Sequence, residues 1–285
     1  MPTSPDPTTP DLDPAFAFDF RSYAEPDARN QRWSTWYDVE PLCRGPEPRP
    51  SWVITERAAV DTELGILKTG KEADVFLLER AVEGGPGVVM AAKRYRSSEH
   101  RTFHRKASYT EGRRSRDSRE TRAVSRGSSF GRTVAAGQWA SAEWEALSQC
   151  WLLGLPVPYP VQIDGTELLM EWISLDGETA PRLAQSRPSP DLLGDYFEQL
   201  REALATMTQH GIVHGDLSAY NLLAAGDRLV IIDLPQVVDL VGNPLGMDFL
   251  LRDCANVCAW FRSRGLDPGV ADEHALFGDV LSSAF

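Results

Sequence analysis

A polar octapeptide that comes after the clearest helical pattern in the chain most constrains the fold. Between residues 191 and 210 the apolar side chains recur on one face of a predicted amphipathic helix. The octapeptide His214-Gly-Asp-Leu-Ser-Ala-Tyr-Asn221 comes next, and the short apolar strand Leu229–Ile232 then ends at Asp233. Helix, polar loop and strand in this order predict that the polar side chains of loop and strand end meet at one site.

The chemistry that fits this spacing is phosphoryl transfer. It needs one carboxylate to orient the attacking hydroxyl, and a second carboxylate with an amide to hold a metal ion against the phosphates. Asp216 and Asn221 are five residues apart, as in the catalytic loop of protein kinases. Alone, Asp216 could cap a turn and Asp233 could simply end a strand. Their joint spacing favours Asp216 as catalytic base and Asn221 with Asp233 as metal ligands.

A lysine and a glutamate further toward the N-terminus extend this site. Lys93 ends the apolar run Val88–Ala92, where kinases place the strand lysine that contacts the nucleotide phosphates. Glu143 lies in the helix predicted over 138–153 and is a candidate partner for Lys93. The alternative for Glu143 is an exposed helix glutamate, since surface ion pairs are common and weak.

The order of predicted elements indicates the fold class. Short apolar runs predict strands at Trp52–Ile54, Val75–Leu78 and Val88–Ala92, ahead of the helix at 138–153. Further strands and then mostly helices come after it, the last over 246–262, so we predict an α+β fold with an antiparallel-sheet N-lobe and a mainly helical C-lobe. The predicted parts are a partly disordered N-terminal arm (1–50), an N-lobe (51–170) with a flexible Arg/Ser-rich loop (97–135), and a C-lobe (171–285).

Charge is distributed unevenly along the chain. The net charge of −12 argues against non-specific nucleic-acid binding by the whole chain, yet residues 94–132 carry twelve Lys and Arg against four acids. We interpret this segment as a solvated loop whose serines are candidate autophosphorylation targets, with RNA or ribosome contact as a weaker alternative. The serines are at positions 97, 98, 108, 115, 118, 125, 128 and 129.

Two observations bear on location and on metal binding by cysteine. The chain has no apolar stretch long enough for a transmembrane helix and no secretory signal pattern, so we expect a cytoplasmic protein without membrane contact. Cys254 and Cys258 are one helical turn apart. They could form half of a metal site, but two small buried residues on one helix face fit better, because no ligand-like spacing surrounds them.

Three motifs together resemble one family. Thr69-Gly-Lys-Glu-Ala-Asp-Val75 resembles the S/T-G-K-E-A-x-V phosphate loop of the RIO family of atypical serine/threonine kinases. The octapeptide 214–221 resembles the family's H-x-D-L-S-x-[FY]-N, and Ile231-Ile-Asp-Leu-Pro-Gln236 resembles its I-I-D-x-[PS]-Q. The segment 243–257 resembles the family's next segment, so the likeness spans about residues 60–262.

The resemblance implies a two-lobed kinase-like fold that binds ATP with Mg²⁺ or Mn²⁺ and transfers phosphate to a protein or to itself, or hydrolyses ATP. It implies that Lys93 and Asp216 are catalytic. The implied nucleotide-binding residues are Thr69, Gly70, Lys71 and Glu72 in the phosphate loop, Lys93 with Glu143, Leu67, Val75, Ala91 and Met170 around adenine, and Met170, Glu171 and Ile173 in the hinge. The implied metal ligands are Asn221 and Asp233.

Two other functions stay open at the level of sequence. Aminoglycoside- and choline-kinase-like phosphotransferases share the H-G-D loop, but they continue with I-D-[WF]-[ED], whereas Leu234-Pro-Gln236 comes after Asp233 here. A non-enzymatic scaffold that binds nucleotide or RNA is the other alternative. The presence of all four residues Lys93, Asp216, Asn221 and Asp233 argues against it.

Overall fold

A six-stranded antiparallel sheet forms the first half of the molecule. The computed structural model describes residues 30–96 and 129–283, with side chains from residue 134 onward in the first helix. The strands are β1 (Gln31–Trp33), β2 (Val60–Thr69), β3 (Ala73–Ala81), β4 (Val88–Tyr95), β5 (Pro160–Asp164) and β6 (Glu167–Glu171), and they lie side by side in the order β1-β2-β3-β4-β6-β5. The predicted antiparallel sheet is therefore confirmed.

Cross-strand register assigns each side chain to one of the two sheet faces. Lys68 pairs with Val75, Val75 with Lys93, and Lys93 with Leu168, so one row of partners crosses four strands. Partners in an antiparallel sheet point to the same face, and this face carries Lys93. We call it the lysine face. The opposite face carries an apolar cluster that includes Leu78, Met90, Ala92 and Leu169.

Helix α1 (Ser129–Leu152) lies against the lysine face, where Trp144 and Leu147 join the main core with Tyr95 and Leu168. The helix begins earlier than predicted, because residues 129–135, predicted as the end of the flexible loop, already belong to it. The rest of that predicted loop, 97–128, lies outside the described residues.

The segment from residue 30 to residue 53 packs on the opposite face of the sheet. β1 forms one edge of the sheet beside β2, and the chain then crosses to the other edge, where the Gly45 N–H donates to the Val161 carbonyl (2.8 Å). Trp36 is only 3% exposed within the apolar cluster of this face. Residues 30–50 of the predicted arm therefore pack on the sheet, while 1–29 lie outside the described residues.

The strand predicted at Trp52–Ile54 is wrong. A turn after Pro50 takes its place, in which the Val53 N–H donates to the Pro50 carbonyl (3.1 Å). The apolar character of the run comes from packing, since the Trp52 ring meets Tyr159 edge-on with ring centroids 5.9 Å apart.

Helices and short strand pairs make up the C-terminal part. The helices are α2 (Pro190–Gln209), α3 (Gly246–Ser263) and α4 (Glu273–Ser282), and the strand pairs are β7 (Ser174–Leu175) with β8 (Glu178–Thr179), β9 (Ile212–Val213) with β12 (Val238–Asp239), and β10 (Leu222–Ala225) with β11 (Arg228–Ile231). The helices predicted at 191–210 and 246–262 are present, whereas α4 was not predicted. None of the helices in the described residues is long and apolar enough to span a bilayer.

Local sequence explains where α2 begins and ends. Ser189 caps its N-terminus by accepting from the Leu192 N–H (3.3 Å), and Pro190 fits the first turn because that position needs no N–H partner. Gly211, with φ +71°, comes after the helix in the left-handed conformation that glycine favours. The buried face of α2 packs mainly on α4 and also contacts α3, where Phe197 meets Phe261 edge-on at 5.2 Å. This packing supports the loop that comes after α2.

Candidate active site

Lys93 is held by two carboxylates that come from different parts of the chain. Its Nζ lies 2.7 Å from Glu143 Oε1 on α1 and 2.8 Å from Asp233 Oδ1 after β11. Burial of the ammonium lowers the pKa of Lys93, but the two carboxylates outweigh burial and the net shift is upward. Lys93 is thus a fixed cation.

Glu143 is a buried residue of the site. It is 1% exposed, which rules out the alternative of a surface glutamate. Its second carboxylate oxygen accepts a hydrogen bond from the Tyr95 hydroxyl. Burial raises the pKa of Tyr95, and the neighbouring Glu143 carboxylate raises it further, so the phenol stays a donor. The pair predicted from the sequence therefore exists, and Tyr95 orients it.

Asp233 lies at the junction between the strand β11 and the polar loop. The Ile232 N–H donates to the Asn221 carbonyl (3.0 Å), and His214 Nε2 lies 3.2 Å from the Ile232 carbonyl oxygen. Asp233 itself has φ +69°, a left-handed conformation that non-glycine residues seldom adopt. Burial raises its pKa, but the charge and hydrogen bond of Lys93 lower it more, so Asp233 is a carboxylate.

A buried acid on α3 anchors residues 214–221, the predicted catalytic loop. Asp253 on α3 accepts hydrogen bonds from the N–H groups of Gly215 (2.8 Å) and Leu217 (2.9 Å), on either side of Asp216. The Asn221 side-chain amide donates to the Asp216 carbonyl (2.8 Å) and closes the loop. The Asp216 carboxylate stays open to solvent, and partial burial raises its pKa despite the charges nearby.

The anchor was missed by sequence reasoning. Three residues of α3 contact the loop: besides Asp253, Arg252 donates to the Gly215 carbonyl and the Asn256 amide donates to the Leu217 carbonyl (3.2 Å). A signal was available, because Asp253 is an acid on the apolar face of the helix predicted at 246–262. Acids are rarely fully buried without partners, so this position indicated a structural or functional role.

The predicted metal ligands suit a hard divalent cation. Because the Asn221 N–H₂ group bonds to the Asp216 carbonyl, the side-chain oxygen of Asn221 is its remaining ligand atom. That amide oxygen and the Asp233 carboxylate are the donor type that Mg²⁺ prefers, with phosphate and water oxygens to complete the shell. Within the described ranges no three His, Cys, Asp or Glu residues form a metal-binding cluster.

The two cysteines of α3 belong to the core. Cys254 and Cys258 are fully buried, and burial raises the pKa of their thiols to about 12 and about 11. A protonated thiol is a poor metal ligand, so these residues fit packing rather than half of a metal site.

The predicted phosphate loop is the turn between β2 and β3. Thr69 pairs with Asp74 across the turn, and Lys71 and Glu72 are exposed at its tip. The Gly70 N–H donates to the Ala73 carbonyl (3.0 Å). A Cβ atom at Gly70 would lie 2.7 Å from that oxygen, so the turn requires glycine.

The residues predicted around adenine lie on the lysine face or beside it. Ala91 pairs with Met170 across β4 and β6, and Val75 pairs with Lys93. A register shift between Ile66 and Lys68 sets Lys68, rather than Leu67, opposite Val75. Regular alternation would place Leu67 on the lysine face, whereas the bulge places Lys68 there.

Some backbone groups of the predicted hinge, Met170 to Ile173, already form hydrogen bonds within the protein. The Glu171 N–H donates to the Tyr159 carbonyl (2.8 Å), and the Glu171 carboxylate accepts from the Tyr159 N–H (3.1 Å). The Ile173 carbonyl accepts from the Ala180 N–H (3.0 Å). The backbone groups of the two hinge residues that these bonds do not engage are the Glu171 carbonyl and the Ile173 N–H.

Comparison with known proteins points to one family. A family model described as "RIO domain" matches residues 80–275. The RIO-type serine/threonine-protein kinase Rio1 of Haloferax volcanii is 34% identical over 224 residues, which cover 79% of this chain and 70% of that protein. The serine/threonine-protein kinase rio1 of Dictyostelium discoideum is 35% identical over 44% of this chain and 22% of its own length. Rio1 of Methanocaldococcus jannaschii is 36% identical over 37% of this chain and 36% of its own.

Proposed function

Because the chain belongs to the RIO domain family, we propose that it is an ATP-dependent serine/threonine kinase in which Asp216 accepts the proton of the attacking hydroxyl. The observation that carries this proposal is the double contact of Lys93 with Glu143 and Asp233. It brings the phosphate-binding lysine, its orienting glutamate and the metal-site aspartate together beside the catalytic loop.

The site residues then have distinct roles. Lys93, oriented by Glu143, binds phosphate oxygens of ATP, and the loop Thr69–Glu72 covers the phosphates. Adenine lies against Val75, Ala91 and Met170, with the Glu171 carbonyl and the Ile173 N–H as hinge contacts. Asn221 and Asp233 hold Mg²⁺, or Mn²⁺ in its place.

The transfer step uses the anchored loop. The substrate hydroxyl oxygen bonds to the γ-phosphorus, the bond from that phosphorus to the β–γ bridging oxygen breaks, and the hydroxyl proton passes to Asp216. The raised pKa of Asp216 makes it a better proton acceptor than an ordinary aspartate. A bound divalent cation supplies charge neutralisation for the phosphates.

The phosphate acceptor follows from membership of the same family. We propose a protein acceptor, or the chain's own serines in the basic segment, which lie outside the described residues except for Ser129 in α1. A small-molecule phosphotransferase fits less well, because Pro235 stands where those enzymes have their second acid, two residues after Asp233. Cytoplasmic location and contact with RNA or the ribosome stay predictions.

The test is turnover of γ-labelled ATP with Mg²⁺ by the wild type, Asp216→Asn and Asp233→Asn. We expect both variants to lose at least about 100-fold in released phosphate and protein-bound label, since each removes a charge that acts on the transferred group. Asp176→Asn is the matched control, because Asp176 is exposed and also has a positive φ (+52°). Full turnover in either site variant would refute the proposal.

The chemistry of the label separates transfer from hydrolysis. Label that survives acid identifies a phosphoserine or phosphothreonine product, whereas label released by hydroxylamine identifies an acyl phosphate on a carboxylate. Phosphate release without stable label identifies an ATPase. Each of these outcomes requires loss of turnover in Asp216→Asn before it supports the proposed site.

A further inference from the structure

Lys68 lies on the same sheet face as Lys93, two strands away. The register pairs Lys68 with Val75 and Val75 with Lys93, and partners share a face. Neighbouring strands are about 4.8 Å apart, so the backbones of the two lysines are separated by about 10 Å. A lysine side chain reaches about 6 Å from its Cα, which covers the space beside Lys93. Lys68 therefore projects over the surface where the phosphates of ATP are proposed to bind.

The two lysines differ in how their charges are balanced. Lys93 has carboxylate partners at 2.7 and 2.8 Å. Lys68 has no hydrogen-bond or ion-pair partner among residues 30–96 and 129–283. Lys68 is largely exposed, and its partial burial lowers its pKa. The positive charge of Arg182 lowers this pKa further, and Asp233 acts in the opposite direction. A bound anion would offset the repulsion between Lys68 and Arg182, because it attracts both of these cations.

Arg182 approaches Lys68 from the C-terminal part. Its guanidinium donates to the Tyr220 carbonyl, directly before the metal ligand Asn221, and its backbone forms a bridge with Leu223. Lys68 comes from the sheet and Arg182 from the segment beside the catalytic loop, and the charge of Arg182 acts on Lys68.

The phosphate loop offers few glycine N–H donors to a bound phosphate, and Lys68 lies directly beside it. Phosphate-binding turns commonly offer several backbone N–H groups to the anion. Between Thr69 and Val75 there is a single glycine, and its N–H already donates to the Ala73 carbonyl. With the glycine donor engaged, a side-chain cation next to the loop adds an electrostatic contact to those that the other backbone N–H groups of the loop can make.

From this geometry we propose that Lys68 is a nucleotide-binding residue that contacts the polyphosphate of ATP opposite Lys93. The proposal rests on the function proposed above, in that ATP is the ligand. It adds a contact from Lys68, which directly precedes the phosphate-loop motif 69–75 and is not part of it.

The test is calorimetric titration of the full chain with ATP, ADP and adenosine, for the wild type, Lys68→Met and Lys68→Arg. We expect Lys68→Met to weaken ATP binding by about tenfold and to leave adenosine within about twofold, since a charged hydrogen bond to phosphate is lost while the adenine contacts remain. Lys68→Arg keeps the charge and should stay within about threefold of the wild type for ATP. Arg228→Met, at an exposed position in the β10–β11 hairpin, matches the loss of charge without touching the site.

The outcomes separate this proposal from the proposed function. ATP binding by Lys68→Met at the wild-type level, with turnover still lost in Asp233→Asn, would refute the role of Lys68 alone. Equal weakening for ATP and adenosine would also refute it, because the change would then act on the adenine site or on folding, which thermal melting measures. A wild type that binds no ATP would refute both proposals.

Discussion

At the scale of single residues, the site depends on how charges are shared around Lys93. The pairing of Lys93 with Glu143 was predicted from residue types alone, because a strand lysine and a helix glutamate are a known combination. The direct contact with Asp233 was not predicted, since 140 residues separate the partners and no periodic pattern reports such a distance. Lys68 was missed for a related reason, as the bulge in β2 cannot be read from alternation.

Glu143→Gln tests the orienting role of Glu143. Glutamine keeps the size and one oxygen for Lys93 but removes the charge, so Lys93 moves toward Asp233. We expect turnover of labelled ATP to fall by about 10- to 100-fold, because small displacements of a phosphate-binding group are costly in rate. The control is Glu145→Gln, which alters an exposed position two residues along the same helix. Turnover within twofold of the wild type in Glu143→Gln would show that the pair is only structural.

At the scale of elements, helix α3 determines the shape of the catalytic loop. The apolar stripe predicted the helix at 246–262, and the structure extends it by a single residue at its end. What the stripe could not predict is that the helix also donates to and accepts from the loop, through Arg252, Asp253 and Asn256. Hydrogen bonds between an element and a distant loop depend on packing, which the sequence pattern does not encode.

Asp253→Asn tests this anchor. Asparagine has one acceptor oxygen for two backbone donors, and its N–H₂ group would face an N–H. We expect the free energy of unfolding to fall by about 1–3 kcal/mol, as measured by urea denaturation, because a buried backbone N–H loses its hydrogen-bond acceptor. Turnover should fall as well, since Asp216 lies between the two anchored amides.

The control for this variant is Asp248→Asn, which changes an exposed aspartate in the first turn of the same helix. Its unfolding curve should stay close to that of the wild type. If Asp253→Asn unfolds at the same urea concentration as this control, the two hydrogen bonds do not contribute to the stability of the fold.

Elements that sequence reasoning missed share a physical cause. Strand β2 exposes most of its second half, from Leu64 to Thr69, so apolar alternation is weak there. Helix α4 is short and buries only Leu276 and Val280, and its clearest signal is the cap that Asp272 forms with the N–H groups of His274 and Ala275. The failed strand at Trp52–Ile54 shows the reverse case, in which apolar residues serve packing without a strand.

At the scale of the whole molecule, the N-terminal segment ties the curled sheet together. Glu167 on β6 bonds to Arg32 on β1 and to Arg94 on β4, whose Nε lies 2.6 Å from a Glu167 oxygen. β1 and β6 are separated in strand order, so this contact reports the curvature of the sheet. The sequence predicted a partly disordered arm at 1–50, because its composition resembles that of disordered segments. The contact of Arg32 with Glu167 was therefore not predicted.

Glu167→Gln tests this connection through the pH dependence of stability. Burial raises the pKa of Glu167, but Arg32 and Arg94 outweigh burial and the folded-state pKa is lowered. A lowered pKa contributes stability that is present above the unfolded-state pKa of about 4.3 and is lost as pH falls through the folded-state pKa. We expect the variant to lose about 1–2 kcal/mol at pH 7 and to lose less than the wild type on acidification.

Urea denaturation at pH 7, 4 and 3 measures both effects, since the contribution of Glu167 is lost below the unfolded-state pKa. Glu178→Gln, at an exposed position of β8, serves as the control for removing one carboxylate. A variant whose stability declines with falling pH as steeply as that of the wild type would show that Glu167 is not the group responsible.

The Lys93–Asp233 ion pair has a consequence for the order in which ligands bind. Each member of the pair has a second proposed partner, phosphate for Lys93 and a divalent cation for Asp233. An anion that engages Lys93 releases Asp233, and a cation that engages Asp233 releases Lys93. Each ligand thus removes the competitor of the other, and thermodynamic reciprocity requires the two effects on affinity to be equal. Nucleotide and metal ion should therefore bind with positive cooperativity. Each should have a lower affinity for the site when the other is absent.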